Sequence, residues 1–325
     1  MSIVKFTTPV HLTKSDINIS HEIPVLLIGS CFAQNIGTLL KTDKFDVSIN
    51  ANGIIYNPIS IVNALHRIIK NDIYTEEVLT FYNKWVSFAH HGSFSSANKE
   101  DVLANINQSL HNAHQTLKKA NALIITFGSA WVYEHDDFGI VANCHKLPAK
   151  KFNKRLLTVE EIVTAYTKLI KAIDPKINIV FTVSPVRHIK DGLHENNLSK
   201  SVLHLAVKNI TEQHKNCSYF PAYEIVTDEL RDYRFYKDDL VHPTDMAINY
   251  VWEKFSAAYF DKDTTMLNEA IQHIVRAANH RPFQAESEAH QKFVKAFLFT
   301  IDKINEDFPF LDFSEEKEKL KCWKF

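Results

Sequence analysis

Glycine and cysteine are both scarce in this chain of 325 residues, which contains seven glycines and four cysteines. The cysteines lie far apart and none belongs to a CxxC pair, which argues against a disulfide scaffold or a zinc knuckle and favours a reducing cytoplasm. Because glycine is rare in this chain, a glycine that directly follows an apolar run is informative. It predicts a tight turn or a close approach of the backbone to a ligand. The glycines in such positions are Gly29, Gly53 and Gly128.

Long apolar runs and an excess of charge are also lacking. The 37 basic and 38 acidic residues nearly cancel, so no nucleic-acid partner or anionic membrane surface is predicted. No apolar run is long enough to span a membrane, and the first 20 residues contain neither an apolar core nor a cleavage site typical of a signal peptide. We therefore expect a cytoplasmic protein without a membrane partner.

Continuous apolar segments predict buried strands. The clearest are "IPVLLIGS" (23–30), "ALIITFGS" (122–129) and "INIVFTVS" (177–184), and weaker candidates cover 44–50 and 218–226. Strands that are apolar throughout are typical of a sheet covered on both faces. Helical patterns lie between them, and strand followed by helix, repeated, predicts a mostly parallel sheet with right-handed crossovers.

The pattern changes near residue 264. Two helical segments follow with no strand between them, and the last twelve residues, "SEEKEKLKCWKF", are charged and then aromatic. We predict an α/β domain over 1–263 and an α-helical extension over 264–325 that packs on it. The last segment is either a frayed helix or a docking tail.

The stretch "VLLIGSCFAQNIGTLL" (25–40) passes directly from a strand pattern to a helix pattern. Sites in open α/β sheets form where strands end, and a helix N-terminus offers unpaired N–H groups and a positive dipole end. These effects favour a thiolate, so Cys31 is predicted to be reactive and its N–H to bind an oxyanion. The alternatives are that Cys31 is an inert buried residue and that Ser30 caps the helix.

A second element is "YKDDLVHPTDMAINYVWEKF" (236–255). Asp239 and His242 are three residues apart in a tight segment before a helix, so the carboxylate and the imidazole can converge on one site. The imidazole then deprotonates a nucleophile while the carboxylate orients the ring. The alternative is a turn aspartate beside a surface histidine.

Seven segments between residues 20 and 290 carry a family resemblance. They are "GSCFA" (29–33), "GIIYNP" (53–58), "ITFGSAWVYE" (125–134), "NCHKLP" (143–148), "TVSPVRH" (182–188), "PAYEIVTDELRDYRFY" (221–236) and "DLVHP" (239–243). In this order the segments resemble the GSCFA family, which is grouped with the SGNH (GDSL-type) hydrolases. The resemblance implies a flavodoxin-like, three-layer α/β/α fold.

The resemblance also implies roles for individual residues. Cys31 takes the place of the nucleophilic serine, with Ser30 in reserve, and Gly53 supplies an oxyanion N–H. The Asp-x-x-His block is present as Asp239 and His242. The usual Gly-x-Asn block reads Gly128-Ser129-Ala130 here, so the asparagine is missing. Asn57, Asn143 and Ser129 are the candidates to replace it.

Further polar residues are candidates for lining the cleft. His145 belongs to a cysteine–histidine pair, and Arg187 and His188 follow a predicted strand. Arg187 either binds a substrate carboxylate or phosphate, or pairs with Asp232 or Glu224 to hold its loop. A zinc site built from Cys144, His145 and His90 or His91 is a minor alternative, because no HxxxH or HExxH spacing accompanies these residues.

These residues predict acyl-ester chemistry by covalent catalysis, either hydrolysis or acyl transfer. The family resemblance implies an acylated carbohydrate or another hydroxylated small molecule as the substrate. No metal and no cofactor are predicted, and no oligomeric state is assigned. The alternative is a catalytically silent binding or scaffold protein that keeps the fold, a reading that the missing asparagine favours.

Overall fold

The computed structural model describes residues 7–322. The strands are β1 (Val25–Gly29), β2 (Val47–Ile49), β3 (Leu79–Tyr82), β4 (Lys84–Ser87), β5 (Ala122–Phe127), β6 (Trp131–His135), β7 (Gly139–Val141), β8 (Asn153–Leu156), β9 (Asn178–Val183) and β10 (Cys217–Tyr219). The helices are α1 (Cys31–Thr42), α2 (Pro58–Lys70), α3 (Lys99–Lys119), α4 (Val159–Ala172), α5 (Leu193–Gln213), α6 (Ala222–Glu224), α7 (Asp245–Tyr259), α8 (Lys262–Asn279), α9 (Glu288–Asp307) and α10 (Ser314–Cys322).

Five parallel strands form the central sheet, in the order β10-β9-β5-β1-β2. Counting only these strands along the chain, the order is 2-1-3-4-5, which is that of flavodoxin-like folds. The order reverses between β1 and β5, where Gly29 is paired with Thr126. A crevice forms at the carboxyl ends of the strands at such a reversal, and β1 leads there directly into Cys31.

Helices cover both faces of this sheet. Leu26 and Ile28 of β1 face one apolar core, to which α2, α3, α4 and α5 contribute. Val25 and Leu27 point to the opposite core, which contains residues of α1 and α7. Because β1 is buried on both faces, its sequence is apolar throughout rather than alternating. The predicted three-layer α/β/α architecture with a parallel sheet is confirmed.

Other elements differ from the prediction. Helix α3, the β3–β4 hairpin and the antiparallel sheet β7-β6-β8 were not predicted. The strand predicted over 218–226 is wrong after Tyr219, where Pro221 precedes α6 and a π-helical turn, Ile225–Leu230. Proline cannot donate the backbone hydrogen bond that a continuing strand requires.

The predicted C-terminal helices are present. Helices α8, α9 and α10 share their own apolar cluster, which includes Ile274, Ile301 and Leu320. The last helix is not frayed over its described length, since Leu320 is buried and Glu316 lies 2.7 Å from Lys44 Nζ in the α/β part. The predicted tail residues 323–325 lie outside the described residues, and the domain boundary at 263/264 stays a prediction.

No helix in the described part of the chain combines the length and apolar character needed to cross a membrane.

Candidate functional site

The junction of β1 and α1 places Cys31 at the first position of a helix. Ser30 is the N-cap, and its buried Oγ accepts a hydrogen bond from the Phe32 N–H at 3.2 Å. The Gly29 N–H donates to Asn50 Oδ1 at 2.8 Å, which ties the end of β1 to the loop after β2. Ser30 therefore has the capping role that was its alternative interpretation, and Cys31 rather than Ser30 lines the cavity at this end of the sheet.

The resting Cys31 thiol differs from the expectation of a stabilised thiolate. Burial raises its pKa, and this effect outweighs the opposing effects of the Cys31 N–H, the charge of Lys200 and the Phe32 N–H. The helix N-terminus does act on the sulfur in the predicted direction, but desolvation is larger. Burial therefore favours the protonated thiol in the resting protein.

Asp239 and His242 form a hydrogen-bonded pair in the loop before α7. Asp239 Oδ2 lies 2.7 Å from His242 Nδ1, while Oδ1 accepts the N–H groups of Val241 and His242, each at 2.9 Å. The backbone N–H groups of His242 and Val241 and the His242 ring together lower the pKa of Asp239 to about 2. An ionised carboxylate requires Nδ1 to carry the proton, so Nε2 of neutral His242 is free to act as a base.

Cys31 and His242 line one cavity of about 470 Å³ at the carboxyl edge of the sheet. No hydrogen bond joins their side chains among the described residues. Asp239 is not part of the cavity wall and reaches the cavity only through His242. The predicted residues that also line the cavity are Asn57, Gly128, Ser129, Asn143, Arg187 and His188.

The candidate oxyanion donors differ in what they already bind. The Gly53 N–H donates to Asn50 O at 2.6 Å, and Gly53 does not line the cavity. The amide of Asn57 donates to Ser60 Oγ and Val141 O, which occupies both of its N–H groups. Asn143 Oδ1 accepts the His145 N–H at 2.8 Å, whereas its Nδ2 has no partner in the described part of the chain. Asn143 is thus the asparagine with an amide donor available to a ligand.

The two remaining candidates, Gly128 and Ser129, belong to the Gly128-Ser129-Ala130 block, which lacks the usual asparagine. Gly128 and Ser129 both donate their backbone N–H to Tyr56 O, at 2.9 and 3.1 Å. Ser129 Oγ accepts the Trp131 N–H at 3.1 Å, and it also lies 3.3 Å from Ser199 Oγ. The side chain of Ser129 therefore holds the loop together within the chain.

The residues of the zinc alternative have separate partners. His145 Nε2 donates to Ser87 O at 2.8 Å, and His90 Nδ1 lies 2.8 Å from Ser87 Oγ. His91 Nδ1 bonds Ser93 instead. Within residues 7–322, no three histidine, cysteine, aspartate or glutamate side chains are arranged to hold a metal ion. His145 itself lies outside the cavity wall.

Arg187 and His188 follow β9 and line the cavity side by side. The guanidinium carbon of Arg187 lies 4.4 Å from the ring centre of Tyr236 and 5.3 Å from that of Tyr233. His188 Nε2 lies 3.2 Å from Asp191, and burial lowers the pKa of His188 despite this carboxylate.

Lys200 is a site residue that the sequence reasoning missed. Its amine donates to Gly128 O at 2.8 Å and to Ser184 O at 2.6 Å, at the ends of β5 and β9, and both acceptor residues line the cavity. Lys200 is 3% exposed, and burial lowers its pKa to about 7. A signal was present, because Lys200, Leu203, Val207 and Ile210 lie on one buried stripe of α5. Aromatic walls of the cavity, also missed, are Tyr56, Trp131 and Tyr133.

Comparisons with known proteins agree with the predicted family. The model of the GSCFA family matches residues 24–255, and that of the GSCFA domain protein, C-terminal domain, matches 271–322. Comparison with curated proteins gives no match. Among solved structures, a carbohydrate esterase family 3 from Talaromyces cellulolyticus aligns with 77% of this chain and 99% of its own, with 7% identity and a TM-score of 0.36. A likeness this distant carries no functional argument.

Proposed function

The chain belongs to the GSCFA family, and from that premise we propose that it cleaves acyl esters through a covalent intermediate on Cys31. The single observation that supports this most is the shared cavity: the Cys31 thiol and the imidazole of the Asp239–His242 pair open into the same space. The substrate class that we propose is an acylated carbohydrate or another hydroxylated small molecule.

The first half-reaction forms a thioester. His242 Nε2 takes the thiol proton as Cys31 Sγ attacks the acyl carbonyl, and the resulting imidazolium is stabilised by ionised Asp239. The Cys31 N–H at the start of α1 and the Asn143 amide are the proposed donors to the oxyanion. When the tetrahedral intermediate collapses, the C–O bond breaks and His242 returns the proton to the leaving alcohol.

The second half-reaction consumes the thioester. Water or the hydroxyl of an acceptor attacks the acyl carbon, and His242 accepts the proton of the attacking hydroxyl. The C–S bond then breaks to release the Cys31 thiolate, and His242 returns this proton to the sulfur. Water gives hydrolysis and an acceptor hydroxyl gives acyl transfer. The described residues show no hydrogen bond between the Cys31 and His242 side chains, which is compatible with this cycle, since catalytic hydrogen bonds are often long without substrate and shorten in the complex.

The test is to trap the intermediate. The protein is mixed with 4-nitrophenyl acetate or an O-acetylated sugar, quenched in acid and mapped by mass spectrometry, while acetate release is followed in parallel. We expect an acetyl group on Cys31 in the wild type and none at that position in Cys31→Ala. Asp239→Asn leaves His242 in the wrong tautomer, so its turnover should fall by about 10³–10⁴-fold.

Cys322→Ser is the matched control, because Cys322 is an exposed free cysteine that lies outside the cavity wall. Its turnover should equal that of the wild type. A wild-type protein that neither releases acetate nor carries an acetyl group on Cys31 would contradict the proposal and favour the silent binding or scaffold protein.

A further inference from the structure

Among residues 7–322, no acidic side chain belongs to the wall of the Cys31 cavity. Its charged and ionisable members are Cys31, Tyr56, His91, Tyr133, Cys144, Arg187, His188 and His242. Asp191 lies against His188 and Lys154, whereas ionised Asp239 binds His242 from outside the wall. Among the described residues, the permanent charge within the wall itself is therefore the positive charge of Arg187.

The other cavities of the described chain differ in charge. One of about 400 Å³ beside α2 likewise contains an arginine, Arg67, and no acidic residue, but Arg67 pairs with Asp72. A cavity of about 760 Å³ lies between the α/β part and the C-terminal helices. Its wall mixes both signs of charge. The charged members are Lys41, Lys44 and Lys319 with Glu22, Asp46, Asp312, Glu315 and Glu316.

Arg187 has no carboxylate partner in the part of the chain that the structure describes. Both candidates that the sequence offered are engaged elsewhere. Asp232 caps its own turn by accepting the Arg234 N–H at 2.9 Å, and Glu224 accepts the Tyr219 hydroxyl at 2.7 Å. Arg187 instead lies against Tyr236 and Tyr233, and these neutral partners leave its positive charge without a counter-ion in the described part of the chain.

We propose that the ester bound in this cavity carries an anionic group, a carboxylate or a phosphate, that Arg187 binds. An arginine fork matches either group through two parallel hydrogen bonds. The aromatic walls formed by Tyr56, Trp131 and Tyr133 then contact the sugar ring, or an apolar part of another substrate. The inference rests on the proposed function for one assumption only, that the Cys31 cavity receives the substrate.

The experiment compares two alkylating reagents of nearly equal size, anionic iodoacetate and neutral iodoacetamide. Their alkylation rates at Cys31 are measured at one pH and low salt by peptide mass mapping. The iodoacetate rate is divided by the iodoacetamide rate, and this ratio is then divided by the same ratio measured for the Cys31 peptide in the urea-unfolded chain. A cleft of one charge sign concentrates the opposite ion, so we expect a normalised ratio of about ten or more in the wild type.

Arg187→Gln should bring this normalised ratio close to one while its iodoacetamide rate stays at the wild-type value, which shows that the cavity is intact. Arg187→Lys keeps the charge and should keep most of the preference. Arg234→Gln is the matched control, because Arg234 pairs with Asp232 and lies outside the cavity wall, and it should behave as wild type. A wild-type ratio near one, or a preference that survives in Arg187→Gln, overturns the inference.

A protection assay separates the two anions. Glucuronate, glucose 6-phosphate and glucose are tested as protectants of Cys31 against iodoacetamide. Better protection by glucuronate identifies a carboxylate ligand and better protection by glucose 6-phosphate a phosphate ligand, whereas equal protection by all three sugars overturns the inference. Neither assay needs turnover, so a protein that selects iodoacetate but never forms an acetyl-enzyme refutes the proposed function and leaves the anion site standing.

Discussion

The stability of the protein should depend on the protonation of Lys200. Burial lowers the pKa of this amine from 10.5 to about 7, and no carboxylate lies within ion-pair distance among the described residues. Above pH 7 the unfolded chain therefore binds more protons at this lysine than the folded protein does. By linkage, the free energy of unfolding rises with pH in this window, by about 2 kcal/mol between pH 7 and 9.

Lys200→Met removes this dependence. The substitution also removes the donors to Gly128 O and Ser184 O, which costs about 1–3 kcal/mol for each carbonyl left buried without a partner. The same change removes the cost of burying an amine, so the two effects offset each other at pH 7. At pH 9, where the wild type has gained its extra stability, Lys200→Met should be the less stable protein by a further ~2 kcal/mol.

Urea unfolding at pH 7, 8 and 9 measures the effect, with the free energy of unfolding extrapolated to water. The comparison stops at pH 9 because burial raises the pKa of the Cys31, Cys144 and Cys217 thiols. As the pH approaches and passes 9, the unfolded chain loses these protons before the folded protein does, which lowers the free energy of unfolding of wild type and variant alike. Lys208→Met on the same helix is the control, since Lys208 is exposed and pairs only with Glu212. If wild type and Lys200→Met give parallel curves, Lys200 is not the buried titrating group described here.

Two further predictions concern stability. Gly29→Ala should destabilise the fold by about 3 kcal/mol or more, because Gly29 has φ +135° and a Cβ there would lie 2.1 Å from Thr126 O. Gly192 has φ +95° but open space around it, so Gly192→Ala should lose only about 1 kcal/mol of stability in urea titrations. Equal losses in the two variants would refute the steric argument. His90 is buried and its pKa is lowered to about 3, so the unfolded chain binds the extra proton below pH 6.5 and stability should fall by about 2 kcal/mol between pH 6.5 and 4.5. Unfolding curves of His90→Gln should lack this part of the acid dependence, and an unchanged dependence would refute it.

The sheet could be predicted because its main strands are buried on both faces. Such a strand is apolar throughout, and this pattern is visible in the local sequence without knowledge of its partner strands. Helix α3 was missed because the segment is polar on average, although its five buried residues recur every three or four positions as in an amphipathic helix. The β6–β8 sheet, which brings Trp131 and Tyr133 to the cavity, is only partly buried and has no comparable run. Long-range pairing, not local pattern, determines this sheet.

The same distinction applies to the site. The Asp239–His242 pair is local, and three residues of spacing were enough to predict its hydrogen bond. The partners of Arg187 and the burial of Lys200 depend on segments far apart in sequence. Desolvation is also a property of the assembled fold, so the raised pKa of Cys31 was not visible in a motif that indicates only a helix N-terminus.

Lys200 also bears on the missing asparagine of the third block. Its amine binds Gly128 O, the neighbouring Ser199 Oγ accepts the Ala130 N–H at 2.8 Å, and Ser199 Oγ also lies 3.3 Å from Ser129 Oγ. The backbone of the whole Gly128-Ser129-Ala130 block is thus held from behind by two adjacent residues of α5. When its amine is protonated, Lys200 brings a positive charge close enough to Cys31 to lower the pKa of the thiol, although burial raises that pKa by more. Because the pKa of Lys200 is itself about 7, this effect should fade above pH 7. In the proposed cycle we therefore expect Lys200 to compensate for the missing asparagine only while the amine is charged.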